Sequence, residues 1–376
     1  MHFLRPERYT LARLLPGFDD ALARIPLMEL ERPPSPAIRL FRDSGGPGLV
    51  IPAEYGGLGA SALDAIRCQR AVAVRSPSLA VATTMHHFSV ATLVEMAAGP
   101  HKDMEWLVLE GIAHNKLLVA SGFAEGRTGS SIFSSQFEVR RSAEGLVLNG
   151  SKKPCSLAAS MDLLSVSLTL PAQPRAEGSL VVALLPSSTP GVSIRTFWGS
   201  WVLAGAESEE VVLQDVAVPE SMLAYWGRPD AMDTVQRRSF LWFELLIAAS
   251  YLGVASALVE RVFMGKRGTA TERAELGTET EGAMAALEGV ARAMDSGEAG
   301  EDLLARALMV RFAVQAAIER TTARAAELLG GLAFVTSSDV AYFLAAGRAL
   351  AFHPPSRLSA APALDAYLTG GPLRLD

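Results

Sequence analysis

Along the first third of this chain apolar residues recur at intervals of three and four, in the segments 9–23, 60–73 and 78–98, and that spacing predicts amphipathic helices. A glycine- and proline-rich stretch, 45–59, interrupts them. From about Leu117 the period falls to two, as in Phe137-Glu138-Val139-Arg140, Leu146-Val147-Leu148-Asn149 and Leu164-Ser165-Val166-Ser167-Leu168, which predicts strands. Segments 137–141 and 146–152 read as a hairpin whose turn, Ser142-Ala143-Glu144-Gly145, relies on the glycine. Further strands fit 179–185, 192–196 and 209–213, the last running on to Pro219. After Trp226 the helical period returns over 235–263, 278–296, 301–329 and 337–351. The polar run 264–277, with Lys266, Arg267, Glu272, Arg273 and Glu275, reads as a solvated loop between two of these helices. The order is helix, sheet, helix, without internal repeats or low-complexity tracts.

One segment departs from amphipathic patterning. Residues 240–259, FLWFELLIAASYLGVASALV, approach the length of a bilayer span and carry a single charge, Glu244. A helix apolar on every side is either a membrane span or the central member of a bundle. Nothing else in the chain resembles a second span, so the expectation is the inner helix of a bundle, with no membrane partner. The chain has 376 residues, 49% of them hydrophobic, enough for two or three ordinary domains. With 34 Lys+Arg against 40 Asp+Glu the net charge is -6, which removes the positive field that nucleic-acid binding needs. Two cysteines, Cys68 and Cys155, exclude a disulfide scaffold and favour a reduced, cytoplasmic setting. The first residues lack the apolar stretch of a secretory signal, so export is not expected. No metal-ligand spacing, phosphate loop or nucleophile elbow is present in the sequence.

Several motifs, in one order, carry a family resemblance. Ile51-Pro52-Ala53-Glu54-Tyr55-Gly56-Gly57-Leu58-Gly59, followed by helices and a small β domain, resembles the opening of the acyl-CoA dehydrogenase flavoproteins. Ser121-Gly122-Phe123-Ala124-Glu125-Gly126-Arg127-Thr128-Gly129-Ser130 is similar to that family's Thr-Glu-Pro-x-x-Gly-Ser flavin segment, and Asn149-Gly150-Ser151-Lys152 to its Asn-Gly-x-Lys hairpin. Asp215-Val216-Ala217-Val218-Pro219 matches its Asp-Val-x-Val-Pro strand end, and Glu327-Leu328-Leu329-Gly330-Gly331 its Gln-x-x-Gly-Gly turn. The resemblance implies an α+β, acyl-CoA dehydrogenase-like fold: an N-terminal helical domain (1–116), a middle β barrel (117–227) and a C-terminal four-helix bundle (228–376).

It also implies roles. FAD would be held by Ser121, Phe123, Ala124, Ser130 and Ser156, with Arg267, Glu327, Gly330 and Gly331 facing the pyrophosphate and adenine of a neighbouring subunit in a homodimer or homotetramer. An isoalloxazine needs a flat apolar slot with a few donors at its polar edge. This sequence departs from the pattern at four places. Pro154-Cys155-Ser156 stands where an aromatic residue and a threonine normally cover the flavin. Glu327 replaces a glutamine, and Arg267 lies about two residues early. Pro354 falls where the family's C-terminal catalytic glutamate is expected.

A base on the far side of the substrate is still required. Some relatives carry it on the first long helix of the C-terminal domain, where Glu244 lies. Burial there would raise its carboxyl pKa towards a useful range. The alternative for Glu244 is an ion pair with Arg237 or Arg238. His353 is a second candidate, as base or as proton donor in monooxygenases of this fold. His86 and His87, adjacent on one helix, face different directions, so at most one lines the substrate side. The resulting expectation is an FAD-dependent oxidoreductase acting on an acyl thioester carried by coenzyme A or acyl carrier protein. Two alternatives stand beside it: a flavin-dependent monooxygenase on the same fold, and a flavin-free binding scaffold.

Overall fold

The computed structural model describes residues 1–98, 105–126, 135–142, 145–170, 180–225 and 232–375. Helices α1 (Arg5–Leu14), α2 (Phe18–Ala23), α3 (Leu27–Leu30), α4 (Pro36–Asp43), α5 (Ala62–Arg75), α6 (Pro77–Ala97) and α7 (Glu105–Asn115) come first. Serines start three of them: the side chains of Ser35, Ser61 and Ser76 accept main-chain N–H groups at the first turns of α4, α5 and α6. Strands follow: β1 (Val119–Gly122), β2 (Glu138–Ser142), β3 (Gly145–Cys155), β4 (Leu163–Thr169), β5 (Leu180–Pro186), β6 (Val192–Arg195), β7 (Glu209–Pro219) and β8 (Leu223–Tyr225). The chain ends in α8 (Thr234–Met264), α9 (Ala270–Asp295), α10 (Glu301–Thr336), α11 (Ser338–Gly347) and α12 (Arg357–Leu368).

The β domain is built from two four-stranded sheets among the described residues, ordered β1-β4-β5-β8 and β2-β3-β7-β6. The expected hairpin pairs β2 with β3, Arg141 opposite Leu146 and Ser142 opposite Gly145. Gly145 is required there: a Cβ would lie 2.1 Å from the Val218 carbonyl oxygen on β7. The single parallel pairing among the named strands, β1 with β4, places Ser121 opposite Ser165.

Helix α8 is the axis of the helical part. Nearly every side chain from Ser239 to Val259 is buried, because α5, α6, α9, α10 and α11 surround it. Its length and hydropathy would suit a bilayer, yet its most apolar stretch is wholly buried within the protein. The contact with α5 is so close that a Cβ on Gly253 would lie 2.4 Å from the Arg70 carbonyl oxygen and 2.6 Å from Ala73 Cβ. Beside this crossing the buried Arg70 guanidinium donates to Glu7 at 2.5 Å, to Glu281 at 2.6 Å and to Ser256 at 3.0 Å, joining α1, α9 and α8 to α5.

Three helical details differ from the sequence expectation. Helix α9 starts at Ala270, inside the polar run read as a loop, because Thr269 and Glu272 form a reciprocal capping box. Its first turns are mainly solvated, so no apolar stripe announces them. Helix α10 continues past a kink at Gly330, whose φ of 85° only glycine adopts readily. Helix α12 buries only Ala360 and Ala363, too little for a periodic signal.

The close α5–α8 crossing yields an expected outcome. Gly253→Ala forces backbone apart rather than filling space, so it should destabilise the protein by about 1–3 kcal/mol. Chemical denaturation checks this; an unchanged midpoint would show that the helices separate without cost.

Candidate functional site

Glu244 projects from α8 into the protein interior, as burial-based reasoning anticipated, but its partner is neither Arg237 nor Arg238. Arg238 pairs with Glu95 on α6 at 2.5 Å, and Arg237 donates to the Met232 carbonyl. Instead Arg311 of α10 brings its Nε within 2.8 Å of Glu244 Oε2, both side chains 1% exposed. The approach is close but the N–H is not aligned, and Glu244 Oε1 has no hydrogen-bond partner among the described residues. Desolvation pushes the Glu244 carboxyl up to about 7 against the opposing pull of the Arg311 cation. A carboxyl so placed changes charge near neutrality, which suits proton transfer.

His353 joins the same cluster. Its Nε2 lies 2.9 Å from the Tyr251 hydroxyl, one α8 residue two turns beyond Glu244, and the two ring centroids are 5.4 Å apart. Although His353 retains some solvent-facing surface, desolvation, then the Arg311 charge, pushes its imidazole down to about 3, so the ring is neutral. The Arg311 guanidinium also donates to the carbonyls of Leu350, His353 and Pro355, at 3.3, 2.7 and 2.6 Å. Tyr251 and Arg311 were not singled out from the sequence. The available signal was Arg311 set directly among apolar residues, in Leu308-Met309-Val310-Arg311-Phe312-Ala313-Val314.

Aromatic edges connect this cluster to the flavin-like segment. Phe243 lies 6.5 Å from His353 and 5.6 Å from Phe88, and Phe88 lies 5.3 Å from Phe123, centroid to centroid. Ser121, on β1, and Ser156, past β3, are buried, and the Ser156 and Ser208 hydroxyls are 2.9 Å apart. The Ala124 carbonyl accepts from Lys153 N at 2.8 Å. Ser130 lies outside the described residues. Next to this segment the buried Lys152 ammonium donates to Glu125 at 2.8 Å and sits 5.1 Å from the Phe137 ring centroid. Burial opposes ionisation of Glu125, but the Lys152 bond and charge outweigh it and leave the carboxyl below its ordinary range. The donor set, neutral hydroxyls and main-chain groups beside aromatic rings with the nearby carboxylate already neutralised, fits an isoalloxazine.

Arg267, Glu327, Gly330 and Gly331 form a different group. They lie at the α8–α9 turn and the α10 kink, which touch: a Cβ on Gly268 would be 2.8 Å from Leu328 Cδ2. Glu327 is 66% exposed and paired with Arg324 at 2.8 Å, and Arg324 also holds Glu272. The acidic replacement is thereby neutralised within its own chain. The histidine pair is likewise accounted for. Val119 N donates to His86 Nδ1 and His86 Nε2 faces the Pro47 carbonyl, each at 3.0 Å, which fixes the Nε2–H tautomer. His87 is fully buried with its ring 5.6 Å from Phe41. Neither imidazole is open to the surface. Two surface clefts of about 460 and 300 Å³, lined by residues such as Pro362 and Arg374 or Ala158 and Ile194, contain none of the candidate residues. The buried polar groups are what define the site among the described residues.

Comparison with known proteins bears on the family and the fold. The profile of the acyl-CoA dehydrogenase middle domain matches residues 120–216. The chain is 46% identical over 380 aligned positions, the whole of both proteins, to isobutylamine N-hydroxylase from Streptomyces viridifaciens. Its fold resembles that of nitrososynthase from Micromonospora carbonacea var. africana, with a TM-score of 0.84 at 19% identity over 98% of this chain and 99% of that one. It also resembles FMN-bound TdsC from Paenibacillus sp. A11-2, with a TM-score of 0.81 at 18% identity over 98% and 99% of the two chains. A flavin is the cofactor class these findings support; the narrower expectation of FAD finds no support in them, since the flavin in the solved relative is FMN.

The buried histidines set an expected acid response. Desolvation, partly offset by the Pro47 bond, holds His86 at about 4 against an ordinary 6.5, so the unfolded chain takes up a proton that the folded one refuses. The His86 contribution is complete above the unfolded value and is lost as pH falls through 6.5 towards 4, at up to about 1.4 kcal/mol per pH unit. Urea unfolding of His86→Gln across that window should show a shallower pH slope than wild type, with a loss of about 1–3 kcal/mol at neutral pH. Equal slopes would mean that His86 is charged in the folded protein.

Proposed function

We propose, for a chain that belongs to the acyl-CoA dehydrogenase family of flavoproteins, a flavin-dependent monooxygenase activity that hydroxylates the nitrogen of a small aliphatic primary amine. The observation that carries this is end-to-end similarity to an amine N-hydroxylase. Desaturation of an acyl thioester, the main expectation from the sequence pattern, gives way to its monooxygenase alternative. The site is compatible with the change: Glu244, which stands where some dehydrogenases carry their base, presents carboxylate oxygens lacking a hydrogen-bond partner among the described residues.

An amine reacts as a nucleophile only when its nitrogen lone pair is free. Glu244 Oε1 is suited to accept an N–H bond from the incoming ammonium, and a carboxyl titrating at about 7 is suited to take its proton. Phe243 and Phe88, in edge contact with each other and through Phe88 with Phe123, supply apolar surface for a short alkyl group. His353, neutral and held to Tyr251, is suited to relay a proton. Ser121, Phe123, Ala124 and Ser156 would hold the flavin. When bound in reduced form, it supplies two electrons and activates dioxygen, one atom passing to nitrogen and the other leaving as water. We favour FMN over FAD because Glu327, on the adenine side, is an exposed carboxylate already paired with Arg324. The assembly we expect is a homodimer or homotetramer, with Leu332 and Val335, about three-quarters exposed beyond the α10 kink, as apolar contact surface.

The test is aerobic turnover of isobutylamine with a flavin reductase, NADH and either FMN or FAD, followed by mass spectrometry for the hydroxylamine. Activity should rise with pH through about 7, because the active form is the Glu244 carboxylate. Glu244→Gln should remove that limb and lower kcat/KM by roughly 10²–10⁴-fold. Anaerobic oxidation of acyl thioesters, with no hydroxylamine formed in air, would overturn the assignment.

A further inference from the structure

We propose that Arg311 is a positioning residue that locks Glu244 of α8 and the His353 turn into one unit, so that the carboxylate and the imidazole keep a fixed separation during oxygen transfer. The inference rests on the assignment of Glu244 and His353 to the amine site, and it concerns how they are held. A guanidinium that served only to neutralise a buried glutamate would turn its donors to that carboxylate. Here one edge approaches Glu244 at 2.8 Å, whereas the other two nitrogens donate to Leu350, His353 and Pro355 carbonyls. All of this happens in a side chain 1% exposed.

The turn needs such an anchor. Phe352, beside His353, is 84% exposed, and Leu358, just inside α12, is 88% exposed, so apolar burial contributes little to fixing the backbone around the imidazole. Leu350 is the buried exception, and its carbonyl is one of those Arg311 holds. The Tyr251 contact at 2.9 Å fixes one atom of the ring but not the path of the chain. Lysine, a point charge with three donors, cannot span a carboxylate and three carbonyls, whereas the planar fork of arginine does.

The experiment compares wild type, Arg311→Lys and the double variant Glu244→Gln/Arg311→Met, which removes both buried charges together and so avoids stranding one. Two readouts are taken on the full chain. One is isobutylamine hydroxylation, separated into kcat and KM. The other is the rate at which diethyl pyrocarbonate acylates His353, followed by peptide mass mapping with the enclosed His86 as internal control. Arg311→Lys should lower kcat by roughly 10–100-fold with little change in KM for flavin. In both variants His353 should react faster than in wild type while His86 remains slow. Wild-type kcat in Arg311→Lys, or unchanged His353 reactivity in the double variant, overturns the proposal. If wild type hydroxylates no amine, the functional assignment falls on its own, and the His353 reactivity still decides whether Arg311 holds the turn.

Discussion

A carboxylate and a guanidinium, Glu244 and Arg311, are sealed together in the most apolar part of this protein, and the candidate chemistry depends on that burial. Removing two such ions from water costs several kcal/mol each, and their attraction repays this only partly when the geometry is imperfect. The geometry here is imperfect: neither carboxylate oxygen has a hydrogen-bond partner among the described residues, because the facing Arg311 N–H is misaligned. Two packed apolar side chains would serve stability at least as well. The pair is therefore better understood through what it makes available. It provides a carboxyl whose charge changes near neutrality and a cation that secures the turn carrying His353.

The rest of the fold makes that burial feasible. Helix α8 is enclosed because α5 approaches it at Gly253 without a side chain between, and because Arg70 ties the surrounding helices together at the same level. Glu244 and Tyr251 project from this enclosed axis towards α10 and the His353 turn, while Phe243 touches Phe88 on α6. Phe88 in turn meets Phe123, which follows directly on β1. Through these contacts the two helical regions and the β domain converge on one place. On the sheet side, Lys152 and Glu125 neutralise each other within and next to the flavin-like segment, whose other described polar groups are hydroxyls and main chain near the Phe88–Phe123 ring contact.

The legible parts of the sequence were those in which burial repeats. The strands of β3 and β7 and the helices α5, α6, α8 and α10 all alternate buried and exposed sides, or are buried throughout, over enough residues to show a period. Glu244 was legible for the opposite reason, as one charge within an apolar run. Its partner was not, because pairing across helices depends on how they cross: Arg237 and Arg238 are neighbours in sequence but are directed to Met232 and Glu95, while Arg311 lies on another helix. Tyr251 was hidden among apolar residues it resembles in hydropathy. The starts of α9 and α12 were lost because capping residues and solvated turns carry their stability rather than an apolar stripe.

The departures from the dehydrogenase pattern are coherent when considered by charge. A base that abstracts a proton from carbon must be strong and placed over the α carbon, and Pro354 removes one of the two positions at which the family carries it. An amine asks less of its acceptor, because an ammonium gives up its proton to a carboxylate once water is excluded and the neutral pair becomes the cheaper state. Glu244, half-neutralised by a misaligned Arg311, is suited to that exchange: it attracts a cation yet does not hold its charge firmly. His353 provides a neutral partner at the same site because burial and the same arginine suppress its protonation. One buried cation thus tunes both groups in opposite senses, favouring the charged carboxylate and the uncharged imidazole. Desolvation sets the larger part of both shifts, and the arginine tempers it at the carboxyl and reinforces it at the imidazole.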